Sequence, residues 1–258
     1  MKDSYKIKLL YSILGFFILF IIYYIVSEYI APYIVYREEF IPTYSKIADA
    51  IYFLYKQNLI FPSIIASLRR VILGYLIGCP IGFLIGLSIG WSKKIEYSLE
   101  IPISFFRYTP ALALVPLYIL WFGIGELSKI LLIATGACVM LIVSTYHGVR
   151  DIPAIYIKAS KMLGLNGKIL FSKVVIPASL PQIFDGLRVA LASAWMIIVA
   201  AEIMGATEGL GYLLIAGRQF TNVSIIFFGI ILIGIMVIIM DLLFKVIRSY
   251  VIKWIATY

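Results

Sequence analysis

SLRRVILGYLIGCPIGFLIGLSIG, residues 67–90, decides the fold. After Arg70 it carries no charge as far as Gly90. About 20 apolar residues, rising ~1.5 Å each in a helix, cross the ~30 Å hydrocarbon core of a bilayer. Within lipid, a helix satisfies its own backbone N–H and C=O groups. Gly74, Gly78, Gly82, Gly86 and Gly90 recur at every fourth position. Each step of four advances about 40° around the helix, so the row spirals slowly and lets another helix backbone approach closely. It speaks of packing, not of chemistry.

Further apolar runs at about 9–26, 101–122, 127–146, 183–206 and 223–247 bring the expected spans to six. The composition agrees. Of 258 residues, 63% are hydrophobic and 14% charged, with mean hydropathy +1.03. Soluble domains run at about 45–50% apolar and about 25% charged. An ordinary soluble domain and a disordered chain are excluded, and an all-α integral membrane fold is expected. The first run follows Lys2, Lys6 and Lys8 like the start of a signal peptide. No small-residue cleavage site comes after it, so it reads as a retained span.

The formal net charge is +9. The basic residues are scattered and no nucleic-acid motif accompanies them, so topology and anionic membrane lipid explain the excess, and nucleic acid is not an expected partner. With the N-terminus in the cytoplasm, the inner segments carry Lys2, Lys6, Lys8, Lys93, Lys94, Arg150, Lys158, Lys161, Lys168, Lys173, Lys245, Arg248 and Lys253. The outer segments carry Arg37, Lys46, Lys56, Arg69, Arg70, Lys129 and Arg218. Both termini are therefore expected on the cytoplasmic side of a cell membrane. Cys79 and Cys138 lie in apolar runs and His147 is the single histidine, so neither a disulfide framework nor a metal site is expected.

Residues 43–57, TYSKIADAIYFLYKQ, place Ile47, Ile51, Leu54 and Tyr55 on one stripe, as in an amphipathic helix lying at the outer interface. This divides the chain into an N-terminal span with its outer loop (1–42) and a larger domain (43–258). Span three is interrupted by Pro102, Pro110 and Pro116, and broken helices in membranes pack against protein or line a cavity. The longest inner loop, 147–182, is basic.

Two motifs imitate chemistry. Gly86-Leu87-Ser88-Ile89-Gly90 matches the GxSxG of serine hydrolases, with His147 as the available base. The glycines already belong to the packing row, and the motif sits inside a span rather than on a strand-to-helix turn. Gly167-Lys168 suggests a phosphate loop, but Met162 stands where its first glycine belongs and Ile169 where its Ser or Thr belongs. Energy for uphill transport must then come from an ion gradient or another subunit. The intramembrane ionisable residues are Arg107, Asp185, Arg188, Glu202 and Asp241, functional candidates by default. Local pairs Asp185–Arg188 and Asp241–Lys245 are expected. Arg107 is expected either to attract an anion or to pair with a group such as Glu202.

In the long loop, 153–163 reads as a short helix with an apolar stripe of Ile155, Ala159, Met162 and Leu163, capped by Gly164. A second short helix, about 168–174, is expected to stop before Pro177. Lys158-Ala159-Ser160, Gly164 and Val174-Val175-Ile176-Pro177 keep every spacing of the loop motif EAA, three residues, Gly, nine residues, Ile-x-Leu-Pro. On these residues the chain resembles the permease subunit of binding-protein-dependent ABC importers. Lys158 replaces the family's Glu and Ser160 its second Ala. FFRYTPALALVPLYILWFGIGELSK (105–129), TYHGVRDIP (145–153) and AEIMGATEGLGYLLIAGRQF (201–220) are similar to the nitrate/sulfonate/taurine branch.

The resemblance implies a type I importer permease with a cytoplasmic coupling helix, which is no enzyme and binds no cofactor itself. ATP and Mg would reside in a partner ATP-binding subunit. An extracytoplasmic solute-binding protein would deliver solute, and two permeases, most simply a homodimer, would enclose the pathway. It further implies that Gly164 permits the coupling turn, that Ala159 and Met162 pack on the partner, and that Lys158 and Lys161, beside Ser160, meet its acidic groups. Pro177 closes the motif. Arg107, Thr109 and Pro110 would shape the pathway, and Glu202 would line it or anchor its outer end. Two alternatives are an ion-coupled secondary transporter and an intramembrane serine protease using Ser88 and His147.

Overall fold

The computed structural model describes residues 2–30, 33 and 40–251, so Arg37 and Lys253 of the charge count lie outside the described residues. Among these the chain is helical, with no strand. Its helices are α1 (Lys2–Ile25), α2 (Tyr44–Lys56), α3 (Ile60–Trp91), α4 (Lys93–Tyr108), α5 (Ala111–Phe122) and α6 (Glu126–Arg150). They continue with α7 (Ala154–Met162), α8 (Gly167–Leu170), α9 (Ile176–Ile203), α10 (Leu210–Gln219) and α11 (Val223–Val251). Four stretches are long and apolar enough to cross a membrane: α3, α6, the rod Gly167–Ile203 and α11. The pair α4 and α5, bent by 97°, makes a fifth as a broken crossing. The N-terminal run, expected as the sixth, is helical through α1 and passes into a π-helical turn at Val26–Ile30.

The chain groups into two compact units. The first is Met1–Phe61 with Leu213–Leu232, the second Pro62–Tyr212 with Ile233–Tyr258. In the first, Tyr44 stacks on Phe20 with ring centroids 4.4 Å apart and donates a 2.9 Å hydrogen bond to the Phe20 carbonyl. The amphipathic helix forms as expected at α2, but its buried seam is Ile47, Ala50 and Leu54, while Ile51 and Tyr55 face outward. Positions three and seven apart share the narrow contact line, and the wider expected stripe does not fit it.

Three helices end in the same hydrogen-bonded turn, in which the residue beyond the cap adopts the left-handed conformation. Asn58 does so after α2 at φ 53°, Gly164 after α7 at φ 81° and Thr221 after α10 at φ 52°. Asn58 and Gly164 suit that conformation. Thr221 is β-branched and strained there. Replacing Thr221 with glycine is expected to stabilise the protein by about 1 kcal/mol, read as a raised melting temperature in detergent. No rise would mean that the neighbouring turn relaxes the strain.

In the second unit the glycine row of α3 lies against α6. A Cβ built on Gly78 would overlap the Ala134 carbonyl, and those on Gly82 and Gly86 would come within 2.5 Å of Cys138 O and 2.7 Å of Ile142 O. The matched residues rise together, from Gly74 beside Ile133 to Gly90 beside Val149, so α3 and α6 run parallel. The chain between them therefore crosses back once, through α4 and α5. α9 packs antiparallel on α6, with Gly136 against Ile197 and Gly186 against Ser144. The second short helix does not stop at Pro177. It runs through a π-helical turn at Phe171–Val175 into α9, unbroken past Pro177 and Pro181. The wide turn opens the helix where a proline ring would meet the carbonyl four residues back.

Candidate functional site

The loop helix α7 starts after Pro153, whose fixed φ suits the cap position, and ends in the turn at Gly164. That turn is closed by Leu165 N–H to Ser160 O and Gly164 N–H to Lys161 O, both 3.0 Å. Ile157 packs toward the core cluster of Leu87, Val149 and Val175 and fastens the helix. No residue of α7 is buried. The expected stripe faces away from the protein: Met162 is 88% and Leu163 80% exposed, and Ile155 and Ala159 are exposed with them. Lys158 and Lys161 are exposed on the same helix and make no ion pair among the described residues. Ser160 caps its hydroxyl on Tyr156 O at 2.7 Å. Pro177 lines a recess of about 400 Å³ with His147, Asp151, Tyr156 and Gln182.

The break in span three falls at Thr109 and Pro110. Thr109 terminates α4 by giving both its N–H and its hydroxyl to Phe105 O, at 3.0 and 2.7 Å. Arg107, Thr109 and Pro110 border a cavity of about 460 Å³ that reaches α6 and α9. Arg107 also borders a second cavity, about 180 Å³, together with Glu96 and Glu100. The structure thus brings three of the four expected pathway residues to one opening.

Glu202 is elsewhere. It is fully buried, at 0% exposure, and its partner is Arg70 rather than Arg107. Its carboxylate accepts Arg70 Nη1 at 2.7 Å, Ser67 Oγ at 2.6 Å and Gly211 N–H at 2.8 Å. A Cβ on Gly209, at φ 128°, would strike that carboxylate, so the glycines of the 208–211 turn are needed to wrap it. Arg70, 1% exposed, also grips Glu126 through Nε at 2.8 Å and Nη2 at 2.6 Å, and gives Nη1 to Glu208 O at 2.8 Å. Arg69 and Lys129 complete the cluster against Glu126 at 3.0 and 3.8 Å. The Glu208 carboxylate lies 3.7 Å from Arg70 Nη2, so three cations meet three carboxylates and their formal charges cancel. The cluster ties the first third of α3 to the start of α6 and the end of α9, at the end of the unit away from α7. Glu202 therefore sits in the packed interior and borders neither of the cavities at Arg107.

Arg69 and Arg70, expected in an outer segment, belong instead to this hub. Other expected pairings change too. Arg188 pairs with Asp241 and Asp185 with Arg248 at 2.7 Å, each linking α9 to α11 rather than closing locally. The Asp241–Lys245 pair forms at 2.8 Å. Ser88 donates to Leu84 O at 2.8 Å within unbroken α3, and His147 lies 4.0 Å from Asp151. Neither is arranged as a nucleophile with its base.

Residues 78–257 match the family described as binding-protein-dependent transport system inner membrane component. The putative aliphatic sulfonates transport permease protein SsuC of Bacillus subtilis is 37% identical over 188 residues, 73% of this chain and 68% of its own length. The taurine transport system permease protein TauC of Escherichia coli is 32% identical over 189 residues, 73% and 69% of the two chains. The bicarbonate transport system permease protein CmpB of Synechococcus elongatus is 33% identical over 183 residues, 70% and 66%. The inward-facing MetNI methionine ABC transporter has a chain that superposes with TM-score 0.60 at 20% identity, covering 78% of this chain and 97% of that one, a likeness of fold.

Proposed function

The chain belongs to the family of inner membrane components of binding-protein-dependent transport systems, and we propose that it is the permease of an ATP-driven importer for a small oxyanion. As a member of that family it is a multi-pass membrane permease. Two copies enclose the pathway, and an extracytoplasmic binding protein delivers the solute. A separate subunit holds ATP and Mg and performs the hydrolysis. The observation that carries this reading is α7, a helix with no buried residue, pinned by Ile157 and its terminal turn, that offers Ile155, Met162 and Leu163 to something outside the chain. Its occupant is the ATPase cleft, with Lys158 and Lys161 facing acidic groups there. The excess of Lys and Arg on the segments at the α7 end supports both termini lying in the cytoplasm, and the Arg70–Glu202 cluster at the opposite end of the second unit then faces outward. The solutes for which the relatives are named, sulfonates, taurine and bicarbonate, support the oxyanion class.

The test is co-purification with the ATP-binding subunit, followed by ATP-driven uptake in proteoliposomes. Gly164→Pro forces φ to about −65° where the turn needs a positive value. Nothing lies within 4 Å of a Cβ at this position. The variant also loses the Gly164 N–H bond to Lys161 O, so it is expected to open this exposed turn locally, with a small drop in melting temperature, and to lose capture of the ATPase or lose uptake by about tenfold or more through misplaced contacts. Solute uptake by the purified chain alone, without ATP, would overturn the reading in favour of ion-coupled transport.

A further inference from the structure

No residue of α4 is buried. The helix joins α3 through Ser92 alone and α5 through Thr109 and Pro110. Helical periodicity sorts its side chains onto two sides. Glu96, Glu100, Ser104 and Arg107 fall along one side and border the cavity of about 180 Å³ that lies between α4 and α6. Tyr97, Ile101, Phe105 and Tyr108 fall along the other and are exposed. The polar side has one attachment. The Glu96 carboxylate accepts the Tyr146 hydroxyl at 2.7 Å and Arg150 Nη1 at 3.1 Å. Among the described residues, these are the only side-chain hydrogen bonds from α4 to another helix. The Glu96 side chain is 13% exposed, so it is held in the gap rather than at the surface. Tyr146 and Arg150 stand one turn apart at the C-terminal end of α6, and α7 begins at Ala154, just beyond.

We infer that Glu96 is a positioning residue: its clasp on Tyr146 and Arg150 fixes the rotation of α4 about its own axis and so aims Arg107. Arg107 follows Glu96 by about three turns, about 16 Å along the axis, and returns to within about 20° of the same line. A rotation set at Glu96 is therefore inherited at Arg107 through the hydrogen-bonded backbone between them. The apolar side sets that rotation only loosely, because a face about 100° wide stays covered through a turn of tens of degrees. Two hydrogen bonds to one carboxylate are directional and strengthened by its charge, and a much smaller turn breaks them. Without the clasp, Arg107 is free to turn away from the two cavities that it borders. That these cavities belong to the transport pathway rests on the permease reading. On that reading the clasp also ties the pathway to the loop helix, since both of its anchors stand at the end of α6 from which α7 departs.

The test reads rotation in the permease–ATPase complex held in lipid nanodiscs, with Cys79 and Cys138 replaced by alanine. A water-soluble maleimide reacts with a thiolate, which forms where water reaches the sulfur. Ser104→Cys, on the polar side of α4, is therefore expected to label faster than Phe105→Cys on the apolar side. Glu96→Ala removes the clasp, and alanine favours the helix, so the fold is kept. It should slow labelling of Ser104→Cys and speed that of Phe105→Cys, each by about threefold or more. Glu96→Arg with Arg150→Glu rebuilds the pair in reverse, the Tyr146 hydroxyl now accepting, and should return both rates to within about twofold of the parent's. Unchanged rates in Glu96→Ala would overturn the inference. So would faster labelling at both positions, which general loosening gives, or a reversed pair that restores neither rate. Any of these in a complex that holds its ATPase leaves the permease reading intact. Failure of the parent to hold the ATPase counts against the permease reading, and the same labelling of the chain by itself then decides the role of Glu96.

Discussion

Arg70→Met is expected to cost about 3–5 kcal/mol of stability, because it strands the carboxylate of Glu202 in a dry interior. Glu202 would keep Ser67 and the Gly211 N–H but lose its only cation within 4.0 Å among the described residues. At roughly 2–4 °C per kcal/mol for a chain of this size, the melting temperature should fall by roughly 6–20 °C. Arg70→Lys should fail almost as badly. One ammonium cannot reproduce the two-pronged grip on Glu126 while also reaching Glu202 and the Glu208 carbonyl, a geometry that needs the planar fork of a guanidinium. The informative companion is Arg70→Met with Glu202→Gln, which removes both buried charges. It should recover about 1–3 kcal/mol of the loss, a coupling that a mutant cycle reads directly. If Arg70→Met melts within about 2 °C of wild type, water reaches the cluster and the interior is not dry.

The hub is legible in the sequence through helical periodicity rather than hydropathy. Arg70 stands one step of four before Gly74, so it begins the same row as the glycines, and that row packs on α6. A residue on that row is buried whatever its charge, and Ser67 one turn earlier shares its surroundings. Hydropathy alone places a double arginine outside the membrane. Periodicity places Arg70 inside and leaves Arg69, one residue off the row, at the surface. Glu202 could not be matched with Arg70 from sequence because 132 positions separate them and the match depends on α3 and α9 meeting at the same end. The same limit hid the Arg188–Asp241 and Asp185–Arg248 links, since spacing along one helix reveals neighbours on that helix and not those on the next. The loop helix is legible because its determinants are local: a proline at the start, an apolar spacing and a glycine at the left-handed position. Pro177 does not end the helix, because the π-helical turn at Phe171–Val175 lets it continue.

Gly78→Ala is expected to destabilise the α3–α6 contact by about 2–3 kcal/mol, the cost of overpacking against atoms that cannot step aside. A Cβ on Gly78 meets the backbone of Ala134, not the end of a flexible chain. Gly90→Ala should cost less, because the Cβ there meets the Val149 side chain, with Cβ at 2.6 Å and Cγ1 at 2.9 Å, near the end of both helices where they can part slightly. Gly234→Ala should go the other way. Nothing lies within 4 Å of its Cβ, and alanine favours a helix over glycine by about 0.8–1 kcal/mol. Thermal melting of the three variants in one detergent gives the ordering, with Gly78→Ala lowest and Gly234→Ala above wild type. If Gly78→Ala melts like Gly234→Ala, α3 and α6 are free to separate. If the ordering holds, the backbones of α3 and α6 are locked along their length by the glycine row and at one end by Arg70 and Glu126. Two helices held that closely have no room to slide past each other during a transport cycle.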